Sequence, residues 1–420
     1  MTIPLTETSP ETTTALTAIQ GIDLGDLAQE FGTPLYVYDS QKIITQIDTL
    51  RSAFTYPNIR FKYAAKALTN LSVLRLIKQQ GIGLDVVSIE EAHLGVRAGF
   101  APREIMYTPN GVSTEEIDEA VALGVQMNLD NLRLLTYVGE KYGSNVPCCL
   151  RLNPGIMAGG NAKISVGHQY SKFGIHLQHL ERAVQIVQQY QIRINGLHIH
   201  TGSDIKDVDV FVEGAQRLFD AAEHFDQLEF IDFGSGFKVP YRPGDAYTDI
   251  PTLATRLERA FEDFCESYGR PLAMWFEPGK FIVSESGYLL AKVNVVKENP
   301  NVTFVGLDTG LNHLIRPMMY DAYHAIANVS NPAGPLRRYH VVGYICETDT
   351  FAADRELPEV RPGDILAIKN AGAYGFSMAS HYNSRPRPAE VLIHRGEAKL
   401  IRRRESMEDL LKNQIEVDVS

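Results

Sequence analysis

The chain has 420 residues and a formal net charge of -11, with 44% hydrophobic and 22% charged residues. These values are ordinary for a soluble globular protein, and the length favours two domains of unequal size. The acidic excess argues against non-specific nucleic-acid binding, because that binding needs a basic surface to displace counterions.

The four cysteines are Cys148, Cys149, Cys265 and Cys346, and none of them forms a C-x-x-C pair. They indicate neither a zinc site nor a disulfide framework, so a reducing, cytoplasmic location is expected. Residues 1–32 begin with a Thr-rich stretch that lacks a basic start and a long apolar core. We expect a disordered or loosely ordered segment there, not a signal peptide. No apolar run approaches the roughly 20 residues that a membrane helix needs.

From residue 33 to 285, short apolar runs alternate with amphipathic helical patterns. The strand candidates are PLYVYD, IRFKYAAK, GLDVVS, IMYTPN, QMNLDN, CCLRLNP, INGLHIHT, LEFIDFGSG and LAMWFEPG. The helical patterns include residues 69–80, 89–98, 114–123, 208–224 and 255–268. This rhythm predicts a parallel sheet with crossover helices, and about eight such units fit a closed (β/α)8 barrel of the TIM type. An alternative is that the first strand, PLYVYD, joins the second domain.

After residue 285 the pattern changes to β-rich runs separated by turns. These runs are YLLAKVNVVKEN, VTFVGLD, RRYHVVGYIC, GDILAIKNAG and AEVLIHRGEAKLIRR. They predict a mostly antiparallel β domain over residues 286–420, and ESMEDLLKNQ predicts a short terminal helix. The fold class is therefore α/β, with a barrel followed by a β domain.

Polar residues collect where the barrel strands end, which is where barrel enzymes build their sites. They are Lys66, Asp85, Asn110, Arg151, His200, Gly234, Gly236 and Glu277. A lysine in such a place is usually a solvated surface residue. The functional alternative is a Schiff-base lysine, made nucleophilic by burial and by neighbours that lower its pKa.

Three consecutive strands end in the loops HIHTGS, FGSGF and EPGK. Glycine-rich loops at late barrel strands expose backbone N–H groups and often bind phosphate. H-x-H at a strand end also suits a metal-dependent hydrolase, but such a site needs further His and Asp ligands at other strands. The Gly-Ser-Gly and Glu-Pro-Gly loops favour an anion, so we expect no metal.

The ordered motifs YAAKAL, DVVS, RLNP, SKFGI, HIHTGS, FGSGF, EPGK, YDAYH, CET and NAGAY resemble those of the fold-type III pyridoxal-phosphate decarboxylases. Within that family the set is most similar to the diaminopimelate decarboxylases, and it runs from about Thr33 to Ile401. The resemblance implies the alanine-racemase-like barrel and pyridoxal 5'-phosphate as cofactor. It also implies decarboxylation of meso-2,6-diaminopimelate to L-lysine and carbon dioxide, the last step of lysine biosynthesis.

The resemblance also implies a role for each matching residue. Lys66 would hold the cofactor covalently, and His200 would stack on its pyridine ring. Asp85 and Arg151 would support the ring from nearby. The phosphate would be held by Ser203, Gly234, Gly236, Gly279 and Tyr374.

Glu277 would keep the pyridine nitrogen protonated, which makes the ring a strong electron sink. The alternative is a glutamate that only caps a turn before proline. Arg316 and Tyr320 would bind the distal carboxylate of the substrate, because arginine suits bidentate carboxylate capture. The alternative is a surface arginine before proline. Lys280 and Tyr374 are further candidates for substrate contact.

Cys346 would protonate the carbanion left by decarboxylation, and Glu347 would pair with the distal amine. In this family the CET segment comes from the neighbouring subunit, so a homodimer with shared active sites is expected. Three departures affect substrate contacts. Lys280 stands where the family usually has Arg, Ile89 and Glu90 replace two glycines, and Asp349 comes one place early and is followed by Thr350.

Two other functions stay open. One is a related decarboxylase of another basic amino acid, such as D-lysine or D-ornithine, or of carboxynorspermidine. The other is a non-catalytic, cofactor-binding regulatory homologue. Such proteins often lose the Schiff-base lysine or the cysteine, and this chain keeps both.

Overall fold

The computed structural model describes residues 16–156, 167 and 170–419. Helices and strands are numbered in chain order, and the barrel strands are β4 (Ile59–Ala64), β5 (Gly83–Val86), β6 (Ile105–Tyr107), β7 (Gln126–Leu129), β8 (Cys148–Asn153), β10 (Ile194–His198), β11 (Phe230–Asp232) and β12 (Ala273–Phe276). All eight are parallel, and β12 pairs with β4 to close the ring. The short strand β9 (Ile175–His176) pairs with the end of β8. The predicted (β/α)8 barrel is confirmed.

Helices cover the outside of the barrel. They are α2 (Ser40–Ala53), α3 (Leu71–Gln79), α4 (Ile89–Ala98), α5 (Thr114–Leu123), α6 (Leu132–Tyr142), α7 (Leu180–Tyr190), α8 (Val208–Ala222) and α9 (Ile250–Tyr268), with the short α10 (Lys280–Val283) after β12. Helices α4 and α5 have the predicted bounds. Helix α9 begins earlier than predicted, because Asp249 caps its first turn by accepting from the Thr252 N–H.

Large side chains fill the barrel interior below the strand ends. Met106, Cys149, Phe230 and Trp275 form a buried cluster there, and the rings of Phe230 and Trp275 are stacked. The buried Lys62 places its Nζ 4.5 Å from the centre of the Trp275 ring. The barrel is therefore a packed core, and space for a ligand is left only at the carboxyl ends of its strands.

The second domain is a mostly antiparallel sheet. Its strands are β3 (Leu35–Asp39), β13 (Gly287–Asn299), β14 (Val302–Leu307), β15 (Ile326–Asn328), β16 (Leu336–Val342), β17 (Thr350–Pro358), β18 (Ile365–Ile368), β19 (Ala389–His394) and β20 (Glu397–Arg402). The main order is β17-β16-β14-β13-β3-β19-β20, and β15 and β18 extend it beside β13. Two short helices, α11 (Arg316–Tyr320) and α12 (Met407–Leu411), complete the domain.

Two sequence expectations concern the amino-terminal end. Strand β3 pairs with β13 and β19, so PLYVYD belongs to the β domain, as the alternative allowed. Residues 16–32 are ordered, not loose. They form β1 (Ala18–Ile19), β2 (Ile22–Asp23) and α1 (Leu24–Phe31), and Leu24 and Leu27 are buried in the β-domain core. Residues 1–15 lie outside the described part of the chain.

No helix within the described ranges is long and apolar enough to span a membrane.

Candidate active site

A cavity of about 830 Å3 opens where the barrel strands end, and it is lined by both domains. Twelve of the residues singled out from the sequence line it: Lys66, Asn110, Arg151, His200, Ser203, Gly236, Glu277, Gly279, Lys280, Arg316, Tyr320 and Tyr374. Asp85 and Gly234 lie behind the lining, and Cys346 and Glu347 are elsewhere on the chain. The barrel strands thus bring most of the predicted residues into one pocket.

Lys66 sits in a single 3-10 turn, Ala65–Ala67, directly after β4. The carbonyl of Ala67 accepts from the Tyr374 N–H at 2.9 Å and from the Ser377 hydroxyl at 3.1 Å, so the β domain fastens this turn. Burial alone would lower the pKa of Lys66, but the electrostatic effect of the neighbouring Tyr374 hydroxyl and Asp85 carboxyl raises it. The expectation that burial and neighbours lower the pKa of Lys66 is therefore wrong for the protein without its cofactor.

Glu277 follows β12 directly and is buried at the floor of the cavity. Its Oε2 lies 3.0 Å from Nε2 of His198, while its Oε1 is buried and has no hydrogen-bond partner among the described residues. Burial would raise the pKa of Glu277, but the hydrogen bond from His198 and the positive charge of Lys66 lower it. Glu277 is an ionised carboxylate with one free acceptor oxygen. A protonated pyridine nitrogen is a group that fits it.

Two more buried carboxyls lie near Glu277 and behave differently. Burial raises the pKa of Asp85 to about 8, and it raises the pKa of Asp232 as well. Neighbouring buried carboxyl groups cannot all be ionised, because like charges repel. Glu277 therefore carries the negative charge, and Asp85 and Asp232 keep their protons. Burial also lowers the pKa of Lys62 to about 8.

His198 and Asp232 were not singled out from the sequence. His198 is the first histidine of HIHTGS and Asp232 directly precedes FGSGF, so one lay inside a recognised motif and the other beside one. Together with Glu277 they bring ligand atoms within 4.8 Å of one another, a spacing that could also hold a metal ion. Glu277 Oε2 already accepts a hydrogen bond from His198, and a metal in that position would displace it.

His200 stands at the edge of the cavity, where its Nδ1 accepts from the Ser235 N–H at 3.3 Å. Burial lowers the pKa of His200 well below its usual value, so the ring is neutral and carries its proton on Nε2. The backbone at Gly234 lies close against the His200 ring. Gly234 has φ +61°, and a Cβ there would lie 2.4 Å from the Ile199 carbonyl oxygen and 2.9 Å from His200 Nδ1.

Gly236 has φ +120°, and a Cβ on it would lie 2.3 Å from the Gly202 carbonyl oxygen. The FGSG and HTGS loops can therefore approach each other only because this position lacks a side chain. Ser203, Gly236 and Gly279 all line the cavity. Backbone N–H groups and a hydroxyl at these loops are donors of the kind that phosphate requires.

Arg316 enters the cavity from the β domain. It is 8% exposed, and its Nε has no hydrogen-bond partner among the described residues. Its guanidinium carbon lies 5.7 Å from the ring centre of Tyr241 and 5.9 Å from those of Tyr320 and Tyr374. A buried guanidinium within a ring of tyrosines suits an anionic group brought by a ligand.

Lys280 is already paired. Its Nζ lies 2.6 Å and 2.9 Å from the two carboxylate oxygens of Asp204, and 4.9 Å from the Tyr241 ring. Arg151 also has a neighbour, because its guanidinium carbon lies 4.7 Å from the ring centre of Phe173. Burial lowers the pKa of Arg151. Both cations therefore line the cavity in fixed orientations.

Cys346 and Glu347 are exposed on the β domain and do not line this chain's cavity. The segment that carries them is held by the buried Asp349. Its Oδ1 accepts from the Leu311 N–H at 2.7 Å and its Oδ2 from the Ile345 N–H at 2.9 Å. The early acid of CETDTF is thus a structural residue that shapes the turn.

The chain was compared with known proteins. A family model described as pyridoxal-dependent decarboxylase, pyridoxal binding domain, matches residues 40–284. The diaminopimelate decarboxylase of Methanothermobacter thermautotrophicus is 40% identical over 407 residues, covering 94% of this chain and 95% of that protein. The Aquifex aeolicus diaminopimelate decarboxylase is 35% identical and covers 95% of this chain and 96% of that protein.

A similar architecture is found among solved structures. The crystal structure of diaminopimelate decarboxylase from Helicobacter pylori complexed with L-lysine superposes with a TM-score of 0.86 at 33% identity. It covers 93% of this chain and 98% of that one. The similarity spans both domains.

Proposed function

This chain belongs to the pyridoxal-dependent decarboxylases, within the diaminopimelate decarboxylase family, and we propose that it releases carbon dioxide from meso-2,6-diaminopimelate to give L-lysine. The observation that carries the proposal is that Lys66, Glu277 and Arg316 all line one cavity. A buried amine, an ionised carboxylate and a buried guanidinium are what a cofactor and a dicarboxylate substrate need together.

The residues of the cavity floor fit pyridoxal phosphate. Lys66 would hold it covalently, Glu277 Oε1 would accept from its ring nitrogen, and His200 would cover the ring face. Ser203, Gly234, Gly236, Gly279 and Tyr374 would hold the phosphate, with Asp85 and Arg151 in support. When bound, the cofactor supplies an electron sink for the pair released as the carboxylate leaves.

The β domain would set substrate choice. Arg316, with Tyr320 and Tyr374 around it, would bind the distal carboxylate, which lysine and ornithine lack. Because Lys280 is paired with Asp204, it would act as a fixed positive charge at the cavity wall. The substrate of a lysine or ornithine decarboxylase has no distal carboxylate that could bind Arg316.

We further propose a homodimer with shared active sites. Cys346 and Glu347 are exposed and do not line their own chain's cavity, which supports their delivery to a second copy. Cys346 of the partner subunit would give its Sγ proton to the reacting carbon, and the partner subunit's Glu347 would accept from the distal amine. The four cysteines are free thiols, which supports a reducing, cytoplasmic location.

Two experiments test these proposals. Borohydride treatment of the cofactor-loaded protein should attach the cofactor to the peptide that contains Lys66, and attachment elsewhere would overturn the lysine's role. Lys66→Ala and Cys346→Ala proteins should each be inactive but should regain activity when mixed and allowed to exchange subunits. Random exchange of a C2 dimer should restore about a quarter of wild-type activity, and no recovery would contradict shared sites.

A further inference from the structure

We infer that Asn383 is a positioning residue for Cys346, holding the thiol and stabilising the sulfur after it has given up its proton. The inference rests on the proton-donor role proposed above for Cys346. Asn383 lies in a turn of the β domain, 37 residues after Cys346 in sequence, and belongs to the same chain. A second subunit would therefore receive the two side chains as one preassembled unit.

The contact is between a donor and a sulfur acceptor. Nδ2 of Asn383 lies 3.2 Å from Sγ of Cys346, and Oδ1 of Asn383 lies 3.6 Å from the same sulfur. The nearer group is the amide nitrogen, so an N–H of Asn383 donates to the sulfur. The same amide thus contacts the sulfur in two ways, because its Nδ2 donates to the sulfur and its Oδ1 accepts from the thiol S–H.

The backbone of the turn is held in a conformation that suits this contact. Asn383 has φ +58° and Ser384 has φ +54°, so two consecutive residues other than glycine are left-handed. Such positions cost free energy and persist where the surrounding structure enforces them, often at functional sites. Asparagine tolerates this conformation better than most residues, which makes it suitable for presenting an amide here.

Two adjacent side chains of the turn, Tyr382 and Asn383, hydrogen-bond to two adjacent residues of the CET segment. The hydroxyl of Tyr382 donates to Oε1 of Glu347 at 2.8 Å, while Asn383 donates to Cys346. Asp349 holds the backbone of the same segment through its two hydrogen bonds. A Cβ on Gly343 would lie 2.1 Å from Oδ2 of Asp349, so this glycine leaves room for the Asp349 side chain. The backbone of the segment is therefore held by Asp349, and its thiol contacts Asn383.

The chemistry explains why an amide is useful beside this thiol. When Cys346 protonates carbon, its S–H bond breaks, a C–H bond forms, and the S–H electron pair stays on sulfur as a thiolate. The N–H of Asn383 then donates to a full negative charge, which makes a stronger hydrogen bond than the one to the thiol. Asn383 exchanges no proton itself, but it lowers the free energy of the product of the transfer.

The test uses the alkylation rate of Cys346 in the holoenzyme, measured with iodoacetamide across a pH series. Cys346 is the exposed one of the four cysteines, so a labelled Cys346 peptide can be followed by mass spectrometry. Asn383→Gly removes the amide without straining a left-handed backbone. We expect the midpoint of its pH profile to rise by about half to one unit, so alkylation below the midpoint slows roughly three- to tenfold.

Further variants separate positioning from folding. Asn383→Asp should raise the midpoint more than Asn383→Gly, because a carboxylate repels the thiolate. Ser384→Gly alters the other left-handed residue of the same turn and should leave the profile unchanged. We also expect kcat to fall in Asn383→Gly with little change in KM, and Tyr382→Phe to raise KM more than it lowers kcat.

Two results would separate the inference from the function on which it rests. Equal alkylation profiles for wild type, Asn383→Gly and Ser384→Gly would overturn the assignment of Asn383, even if Cys346→Ala is inactive. Full carbon dioxide release by Cys346→Ala would instead overturn the proton-donor role of the thiol, and with it the catalytic purpose assigned to Asn383.

Discussion

Nε2 of His198 lies 3.0 Å from Oε2 of Glu277, and both side chains are buried. Burial lowers the pKa of His198, so the imidazole is a neutral donor and Glu277 carries the negative charge. The hydrogen bond occupies one carboxylate oxygen and leaves Oε1 free toward the cavity. His198 thereby fixes the orientation of the acid that the cofactor ring would meet.

Glu277→Gln keeps the shape of the side chain but removes its charge. We expect kcat to fall by about 100- to 1000-fold, because a group that stabilises developing charge in a buried site is lost. The cofactor should still attach to Lys66. Steady-state carbon dioxide release and borohydride trapping measure the two effects. Glu258→Gln is the matched control, because Glu258 is a buried glutamate that accepts from the Thr55 and Tyr56 N–H groups far from the cavity.

Arg316→Lys keeps a positive charge but removes the guanidinium fork. The preference for diaminopimelate over L-lysine, taken as a ratio of kcat/KM, should fall by roughly tenfold or more, because a bidentate contact becomes a point charge. Cofactor binding should not change. Arg270→Lys, at a guanidinium stacked on Tyr268 away from the cavity, serves as the control. An unaltered preference in Arg316→Lys would mean that another group binds the distal carboxylate.

Asp349→Ala should destabilise the protein by about 2–4 kcal/mol, because two backbone N–H groups lose their acceptor and one of them is buried. The same change should loosen the segment that carries Cys346. Thermal unfolding measures the first effect, and limited proteolysis followed by mapping of cleavage near residue 346 measures the second. Asp349→Asn, which keeps one acceptor oxygen, should show a smaller loss, and equal stability of all three proteins would refute the anchoring role.

The buried His313 should make the free energy of unfolding depend on pH. Burial lowers the pKa of His313 to about 4, and its Nε2 donates to the Pro386 carbonyl while its Nδ1 accepts from Thr309. Between pH 6.5 and 4 the unfolded chain binds a proton that the folded chain does not. The free energy of unfolding is therefore unaffected by His313 above its unfolded-state pKa. Below that pKa it falls with falling pH, by up to about 1.4 kcal/mol per pH unit.

Thermal unfolding at a series of pH values tests this prediction. His313→Gln can keep both hydrogen bonds but cannot titrate, so its unfolding temperature should depend less steeply on pH in this window. His224→Gln, at an exposed histidine on the barrel surface, should behave as wild type. Parallel curves for His313→Gln and wild type would contradict the account.

Much of the fold could be predicted because the barrel strands are apolar runs joined by amphipathic helices with clear caps, such as Ser88 and Ser113. Strand β3 has the same local pattern, and only its long-range pairing with β13 and β19 places it in the other sheet. Helix α1 was missed because the Thr-rich stretch before it dominates the composition of residues 1–32, although Asp23 caps this helix.

The site residues at strand ends could be predicted because parallel strands bring their carboxyl ends together. The partners that orient them could not. His198 lies within a strand, and nothing in its sequence position reveals that it faces Glu277. Asn383 is 37 residues from Cys346, so only the folded β domain shows that they meet. The raised pKa of Lys66 likewise depends on polar groups contributed by three other segments of the chain.

The most direct test of the central claim is carbon dioxide release from meso-2,6-diaminopimelate, measured beside L-lysine and L-ornithine with the same pyridoxal-phosphate-loaded enzyme. We expect one L-lysine to form for each carbon dioxide released. We also expect a kcat/KM for diaminopimelate at least about a hundredfold above that for the other two amino acids, because only diaminopimelate brings a distal carboxylate to Arg316. No release from diaminopimelate, or equal kcat/KM for all three amino acids, would contradict the central claim.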